Sequence, residues 1–144
     1  MIGLILVAHD KIAADFIKAL EHVDGAPQEA IASLSVTDKA SPADYHETLK
    51  EMIESLDQGD GIIILTDVYG STPANIACRV IDHPNIEIIN GMNLPMLVKL
   101  AELRKRAAQD KKPSSLHAIA TEACNAARKN IYLATDVWKK ARNV

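Results

Sequence analysis

Residues 62–73 read Ile62-Ile63-Ile64-Leu65-Thr66-Asp67-Val68-Tyr69-Gly70-Ser71-Thr72-Pro73. Four apolar residues in a row leave no polar face, which is the pattern of a strand covered on both sides in a parallel sheet. Asp67 closes that strand and a polar loop follows. Thr72-Pro73 then reads as a helix start, Thr as N-cap and Pro at the first helical position, with the helix running to about Ile81. The same alternation repeats on either side. Ile2 to Ala8 is a nearly continuous apolar run, followed by a helix with Asp10 as N-cap and Ile12, Phe16, Leu20 and Val23 on one face. Ala30 to Leu34 is a short second strand. Ser41-Pro42 opens a helix whose stripe is Tyr45, Leu49, Met52, Ile53 and Leu56, and Gln58-Gly59-Asp60-Gly61 is a turn. Downstream, Ile86 to Ile89 is a fourth strand ended by Asn90-Gly91. A helix from about Leu94 to Ala108 and another starting at Ser114-Ser115 complete the pattern. Four β-α units in series predict an α/β fold with a doubly wound, mainly parallel sheet in one domain spanning residues 1–144. Ile131 to Thr135 is β-branched and aromatic and reads either as a short fifth strand or as a helix continuing to Lys140.

Composition agrees and excludes much else. The chain has 144 residues, 48% apolar and 24% charged, enough to bury a core without disulfide or metal support. A net charge of -3 with 3% aromatic residues argues against a nucleic-acid surface. No apolar run reaches the ~20 residues of a membrane span, and the start Met1-Ile2-Gly3-Leu4 lacks the basic region of a secretory signal. Two cysteines, Cys78 and Cys124, make neither a disulfide framework nor a zinc site. A cytoplasmic protein without membrane insertion is the expectation.

In a doubly wound sheet, ligands bind beyond the carboxyl ends of the strands where the strand order reverses. His9 ends the first strand there and Asp67 the third. If those strands are neighbours, the carboxylate can accept a proton from one imidazole nitrogen and leave the other free as a nucleophile. The helix behind Thr72 would turn its unpaired N–H groups toward the same place, a setting that favours an anion. Gly70, Ser71 and Thr72 are therefore the candidate phosphoryl-binding residues, with His9 and Asp67 the candidate catalytic pair. No cofactor and no metal is expected.

These segments resemble the IIA component of the mannose-type (mannose/fructose/sorbose) phosphoenolpyruvate-dependent sugar phosphotransferase system. The resemblance rests on Ile5-Leu6-Val7-Ala8-His9, on Leu65 through Asn75, and on Asn90-Gly91-Met92-Asn93-Leu94-Pro95-Met96-Leu97. It implies that His9 takes a phosphoryl group from phospho-HPr and passes it to a IIB-type acceptor. It also implies that Asp67 orients that histidine and that Thr72 lies against the phosphoryl group. Tyr69 stands where many members carry Trp. The resemblance further implies a homodimer that exchanges a C-terminal antiparallel strand, matched by Ile131 to Ala134, and a possible association with membrane IIC/IID subunits. Many members have glycine after the active histidine, whereas this chain has Asp10. The alternative within the resemblance is a regulatory module whose His9 phosphorylation controls partner binding without sugar transport. A dihydroxyacetone-kinase phosphoryl donor subunit shares this domain and is a further alternative, though such subunits often carry extra phosphocarrier domains. A nucleotide-binding enzyme lacks its signature here, since no Gly-x-Gly-x-x-Gly follows the first strand.

The remaining polar residues read as bland. His22, His46, His83 and His117 are expected at the surface, and Cys78 and Cys124 as buried thiols. Leu103-Arg104-Lys105-Arg106, with Lys111-Lys112, is expected to be a solvated basic helix terminus.

Overall fold

A computed structural model describes residues 1–143. The elements are β1 (Gly3–His9), α1 (Ile12–Asp24), β2 (Ile31–Val36), α2 (Pro42–Leu56) and β3 (Ile62–Thr66), then α3 (Thr72–Cys78), β4 (Ile86–Asn90), α4 (Leu94–Gln109), α5 (Leu116–Lys129) and α6 (Ala134–Arg142). The strands form one parallel sheet in the order β2-β1-β3-β4. The chain leaves β1 for β2 on one side and returns to β3 on the other, so the order reverses between β1 and β3. The doubly wound α/β architecture read from the apolar runs is the one observed.

The pleat explains why the central strands are apolar throughout. Leu4, Leu6 and Ala8 of β1, with Ile63 and Leu65 of β3, face one core built with α1, α4 and α5. Ile5, Val7, Ile62 and Ile64 point the other way, into a second core with Tyr45, Leu49 and Ile53 of α2 and Ile76 and Ala77 of α3. Alternate side chains serve opposite faces, so a strand covered on both sides stays apolar until its carboxyl end, where Thr66 and His9 stand. The edge strand β2 is less constrained, and only Leu34 and Val36 are buried in it.

Helix boundaries follow local chemistry. Ser41 caps α2 through a capping box with Asp44: its hydroxyl accepts the Asp44 N–H at 3.2 Å and the Asp44 carboxylate accepts the Ser41 N–H at 3.3 Å. Asn93 and Ser115 cap α4 and α5 by a single side-chain bond each, accepting the N–H groups of Met96 and Ala118. Two expected caps differ. Asp10 does not cap α1, because Lys11 holds that position without a side-chain bond and Asp10 is turned into the left-handed region at φ 46°. Ser71 rather than Thr72 is the N-cap of α3, which places Pro73 second in the helix. That helix stops at Cys78, and Arg79 to Ile81 continue as tighter turns with bonds to the third residue back.

Ile131 to Thr135 does not form a strand. Residues 131–133 are irregular and Ala134–Arg142 is helical. Ala134, Val137, Trp138 and Ala141 repeat at helical spacing, and the Leu133 carbonyl accepts the Asp136 N–H at 3.1 Å to start the turn. A β-prone tripeptide without a neighbouring sheet edge has no ladder to join.

The run Leu103-Arg104-Lys105-Arg106 is not uniformly solvated. Arg104 is only 2% exposed, whereas Lys105 and Arg106 face solvent. The Arg104 guanidinium donates to the carbonyls of Ile2 (2.8 Å), Glu29 (3.0 Å) and Ala30 (3.1 Å), tying the residues that lead into β1 and β2 to α4. Burial pushes its pKa down to about 10, with Glu29 acting in the opposite sense, so it stays charged at neutral pH. Lys105 pairs with Asp24, and Arg106 with Glu102 and Glu122. The cysteines also depart from expectation: Cys78 is exposed and Cys124 is half-buried against the α5 side of the core. His22, His83 and His117 lie at the surface as expected, while His46 is half-buried and its Nδ1 has no partner.

Gly61 makes the turn into β3 possible. Its φ is +88°, and a Cβ there would stand 2.9 Å from the Asn85 carbonyl oxygen and 2.9 Å from Leu116 Cδ2. Gly61→Ala is expected to cost roughly 1–3 kcal/mol through the strained backbone and the clash. That is a fall in Tm of roughly 3–10 °C for a domain of this size, read by thermal unfolding; an unchanged Tm would show that the turn relaxes freely.

Candidate functional site

His9 is the last residue of β1, and Asp67 follows the last residue of β3. The register pairs Val7 with Thr66, so the two strands end side by side at the reversal of strand order. This is why two residues 58 positions apart in sequence meet. The His9 Nδ1 lies 2.6 Å from Asp67 Oδ2, and the same oxygen accepts the His9 backbone N–H at 3.0 Å. Asp67 Oδ1 accepts the Val68 N–H at 2.9 Å. The carboxylate therefore has three donors. Burial pushes its pKa up, but the bonds from the His9 backbone, the His9 ring and Val68 outweigh that and hold it below its ordinary value of 3.8. An ionised Asp67 beside Nδ1 keeps the ring proton on that nitrogen and leaves the Nε2 lone pair available. The Asp67 side chain is 10% exposed and that of His9 46%, so the anchor is sheltered while the ring reaches solvent.

The base of this arrangement is held rigidly. The buried Thr66 hydroxyl donates to Asn90 Oδ1 at 2.5 Å. The Thr66 carbonyl accepts the N–H groups of Gly91 at 2.9 Å and Met92 at 3.0 Å, which locks the end of β3 to the end of β4. Asp67 therefore departs from a fixed point.

Thr72 shares an open cleft of about 390 Å³ with His9. Gly70 and Ser71 lie in the loop between β3 and α3 but do not line that cleft. Gly70 has a φ of +77°, which a glycine adopts without strain. The Ser71 hydroxyl donates to the Val68 carbonyl at 2.6 Å, closing the turn, and leaves the first N–H groups of α3 without a side-chain cap. Pro73 has no N–H, so Thr72 and Ala74 supply the donors available there. Three more cleft residues, Val36, Thr37 and Asp38, come from the end of β2 and the turn after it. Sequence reasoning missed them. The available signal was topological, because β2 lies beside β1 and its carboxyl end opens on the same crevice.

Among the described residues, no group of three or more His, Cys, Asp or Glu side chains could hold a metal ion, and no helix is long and apolar enough to cross a membrane. The chemistry available at the site is that of an oriented, half-exposed imidazole beside a short helix start.

Comparison with known proteins points the same way. The family model EIIA-man, described as the PTS system fructose IIA component, matches residues 3–117. The PTS system mannose-specific EIIAB component of Escherichia coli (strain K12) is 32% identical over 103 residues, or 68% of this chain, and the match covers 30% of that longer protein. The PTS system sorbose-specific EIIA component of Klebsiella pneumoniae is 24% identical over 125 residues, 86% of this chain and 90% of that one. Among solved structures, the phosphotransferase system component EIIA from Streptococcus agalactiae superposes with a TM-score of 0.80 at 22% identity, covering 94% of this chain and 99% of that chain. At that identity the superposition speaks for the fold, while the match of sequence to the family model carries the assignment: the chain belongs to the mannose-type IIA family of the phosphotransferase system.

Proposed function

We propose that this chain is a phosphocarrier that accepts a phosphoryl group from phospho-HPr on His9 Nε2 and passes it to a IIB-type acceptor for sugar uptake. The supporting observation is the 2.6 Å contact between His9 Nδ1 and Asp67, which leaves the opposite ring nitrogen facing an open cleft. In the forward step the donor's N–P bond breaks as the Nε2–P bond forms, with the two nitrogens in line with phosphorus. Each ring keeps the proton on its other nitrogen, so no net proton moves. Asp67 stabilises the positive charge the ring gains. The Thr72 hydroxyl and the N–H groups of Thr72 and Ala74 supply hydrogen bonds to the phosphoryl oxygens, and Gly70 and Ser71 shape the loop that presents them. The reaction runs between nucleophiles of similar energy and calls on no metal.

The same reading extends to partners. Val68 and Tyr69 stand exposed beside the site, Tyr69 at 82%, and offer an apolar contact to HPr and IIB. Ile131, Tyr132, Leu133, Val137 and Trp138 are exposed around α6, which suits a homodimer that covers them. Work beside membrane IIC/IID subunits, and a cytoplasmic location, follow from the proposed role.

The test is phosphorylation by phosphoenolpyruvate with enzyme I and HPr. The wild type is expected to take up one acid-labile, base-stable phosphate per chain, and His9→Ala none. Full labelling of His9→Ala would remove the assignment.

A further inference from the structure

The cleft beside His9 has an acidic wall. Asp10 follows the histidine directly, and Asp38 faces the same cleft from the turn after β2. Among the described residues, neither carboxylate lies within salt-bridge distance of a cation, although Lys11 and Lys39 are their immediate neighbours in sequence. Asp10 is not placed there by chance flexibility. Its N–H donates to the Val36 carbonyl at 3.1 Å and its own carbonyl accepts the Ser35 hydroxyl, so its backbone is pinned to β2. Its φ of 46° lies in the left-handed region, which glycine adopts freely and which, among residues with a side chain, Asp and Asn adopt most readily. The chain thus carries a carboxylate without an ion-pair partner, its backbone held in place, on the same cleft that His9 lines.

We propose that Asp10, supported by Asp38 across the cleft, raises the phosphoryl-transfer potential of His9. The inference rests on the reading of His9 as the phosphoryl acceptor. A phosphoryl group on Nε2 brings about two negative charges into a cleft that already holds two unpaired carboxylates. Repulsion opposes the phosphorylated form and leaves the unphosphorylated ring unaffected. The exchange between phospho-HPr and His9 is therefore drawn back toward HPr, and onward release to an acceptor becomes more favourable. The bonds made and broken are those already described, so the carboxylates change the equilibrium and not the route. Because both are solvent-exposed, the effect is a modest one, screened over a Debye length of about 8 Å at physiological salt.

Asp10→Gly and Asp10→Asn test it together, since both remove the charge and both residues tolerate a left-handed backbone. The measurement is the equilibrium constant for exchange with HPr, from the phosphorylated fractions of both proteins separated on a phosphate-affinity gel. Each Asp10 variant is expected to shift that constant about three- to tenfold toward phosphorylated His9, and Asp38→Asn to shift it less in the same direction. The difference from wild type is expected to shrink in 0.5 M salt. A constant within twofold of wild type in both Asp10 variants, or a shift that salt does not reduce, overturns the proposal while leaving His9 as the acceptor. Full labelling of His9→Ala overturns the acceptor assignment and this inference with it.

Discussion

Arg104→Met is expected to lower Tm by roughly 10 °C with little direct effect on the chemistry at His9. The side chain is nearly fully buried and its guanidinium holds three backbone carbonyls from two chain segments more than 70 residues away in sequence. Methionine fills similar volume but donates nothing. The Ala30 carbonyl keeps the Leu4 N–H at 2.9 Å, whereas Ile2 and Glu29 lose the charged donor. Leaving a buried acceptor without its donor costs about 1–3 kcal/mol, so the two carbonyls together cost about 2–6 kcal/mol, and about 2–4 °C per kcal/mol is usual at this chain length. Lysine in its place is expected to recover little, because one ammonium cannot fork to three carbonyls set by a planar group. Thermal unfolding checks both variants, and a Tm within 2 °C of wild type for Arg104→Met would show that the amino ends of β1 and β2 are held by other contacts.

Asp67→Ala is expected to slow phosphorylation of His9 roughly 10²–10³-fold, the range for loss of one preorganised electrostatic partner. Without the carboxylate, the ring loses its preferred tautomer and its orientation in a single step. Asp67→Asn separates these effects. The aspartate accepts three N–H bonds, two on Oδ2 and one on Oδ1. An amide must turn its NH₂ toward either Val68 or His9, so one set of bonds is lost whichever way it faces. Its rate is therefore expected between those of alanine and wild type. The pH dependence of stability follows from the same contacts. The Asp67 carboxyl is held below its ordinary value of 3.8 in the folded state. Its stabilising contribution is complete above that unfolded value and is lost as pH falls through the folded one. The stability gap between wild type and Asp67→Asn should thus be largest near neutral pH and narrow below about pH 4. Stopped-flow or quenched transfer from phospho-HPr measures the rates, and urea titrations at two pH values measure the gap. Wild-type rates in Asp67→Ala would remove the orienting role altogether.

The parts of the fold that were legible in sequence share a cause. Ile2 to Ala8 and Ile62 to Leu65 are apolar without interruption because each lies between two helical layers, and that condition leaves its mark on every residue. Ser41-Pro42 and Ser115 announce helix starts because capping is a bond between neighbours in the chain. The parts that were not legible depend on who stands across the gap. Arg104 reads as one member of a basic run, and only the arrival of Ile2, Glu29 and Ala30 around it turns a surface cation into a buried clasp. Ile131 to Leu133 has strand composition, but a strand exists only where a sheet edge receives it, so the segment stays irregular and the helical spacing behind it prevails. Asp10 reads as a helix cap until its left-handed backbone turns it toward the cleft.

For the site, the sequence by itself determined that a histidine and an aspartate each end a buried strand, and that a hydroxyl-rich loop leads from the second into a helix. It did not determine that they touch. The 2.6 Å contact arises because β3 crosses back to lie on the open side of β1, and the pairing of β2 on the other side of β1 brings the turn after β2 into the cleft beside His9. Strand identity is written in short-range patterns of burial. Strand adjacency is decided when the whole sheet closes its two cores at once, so the pairing of distant side chains belongs to the tertiary structure alone.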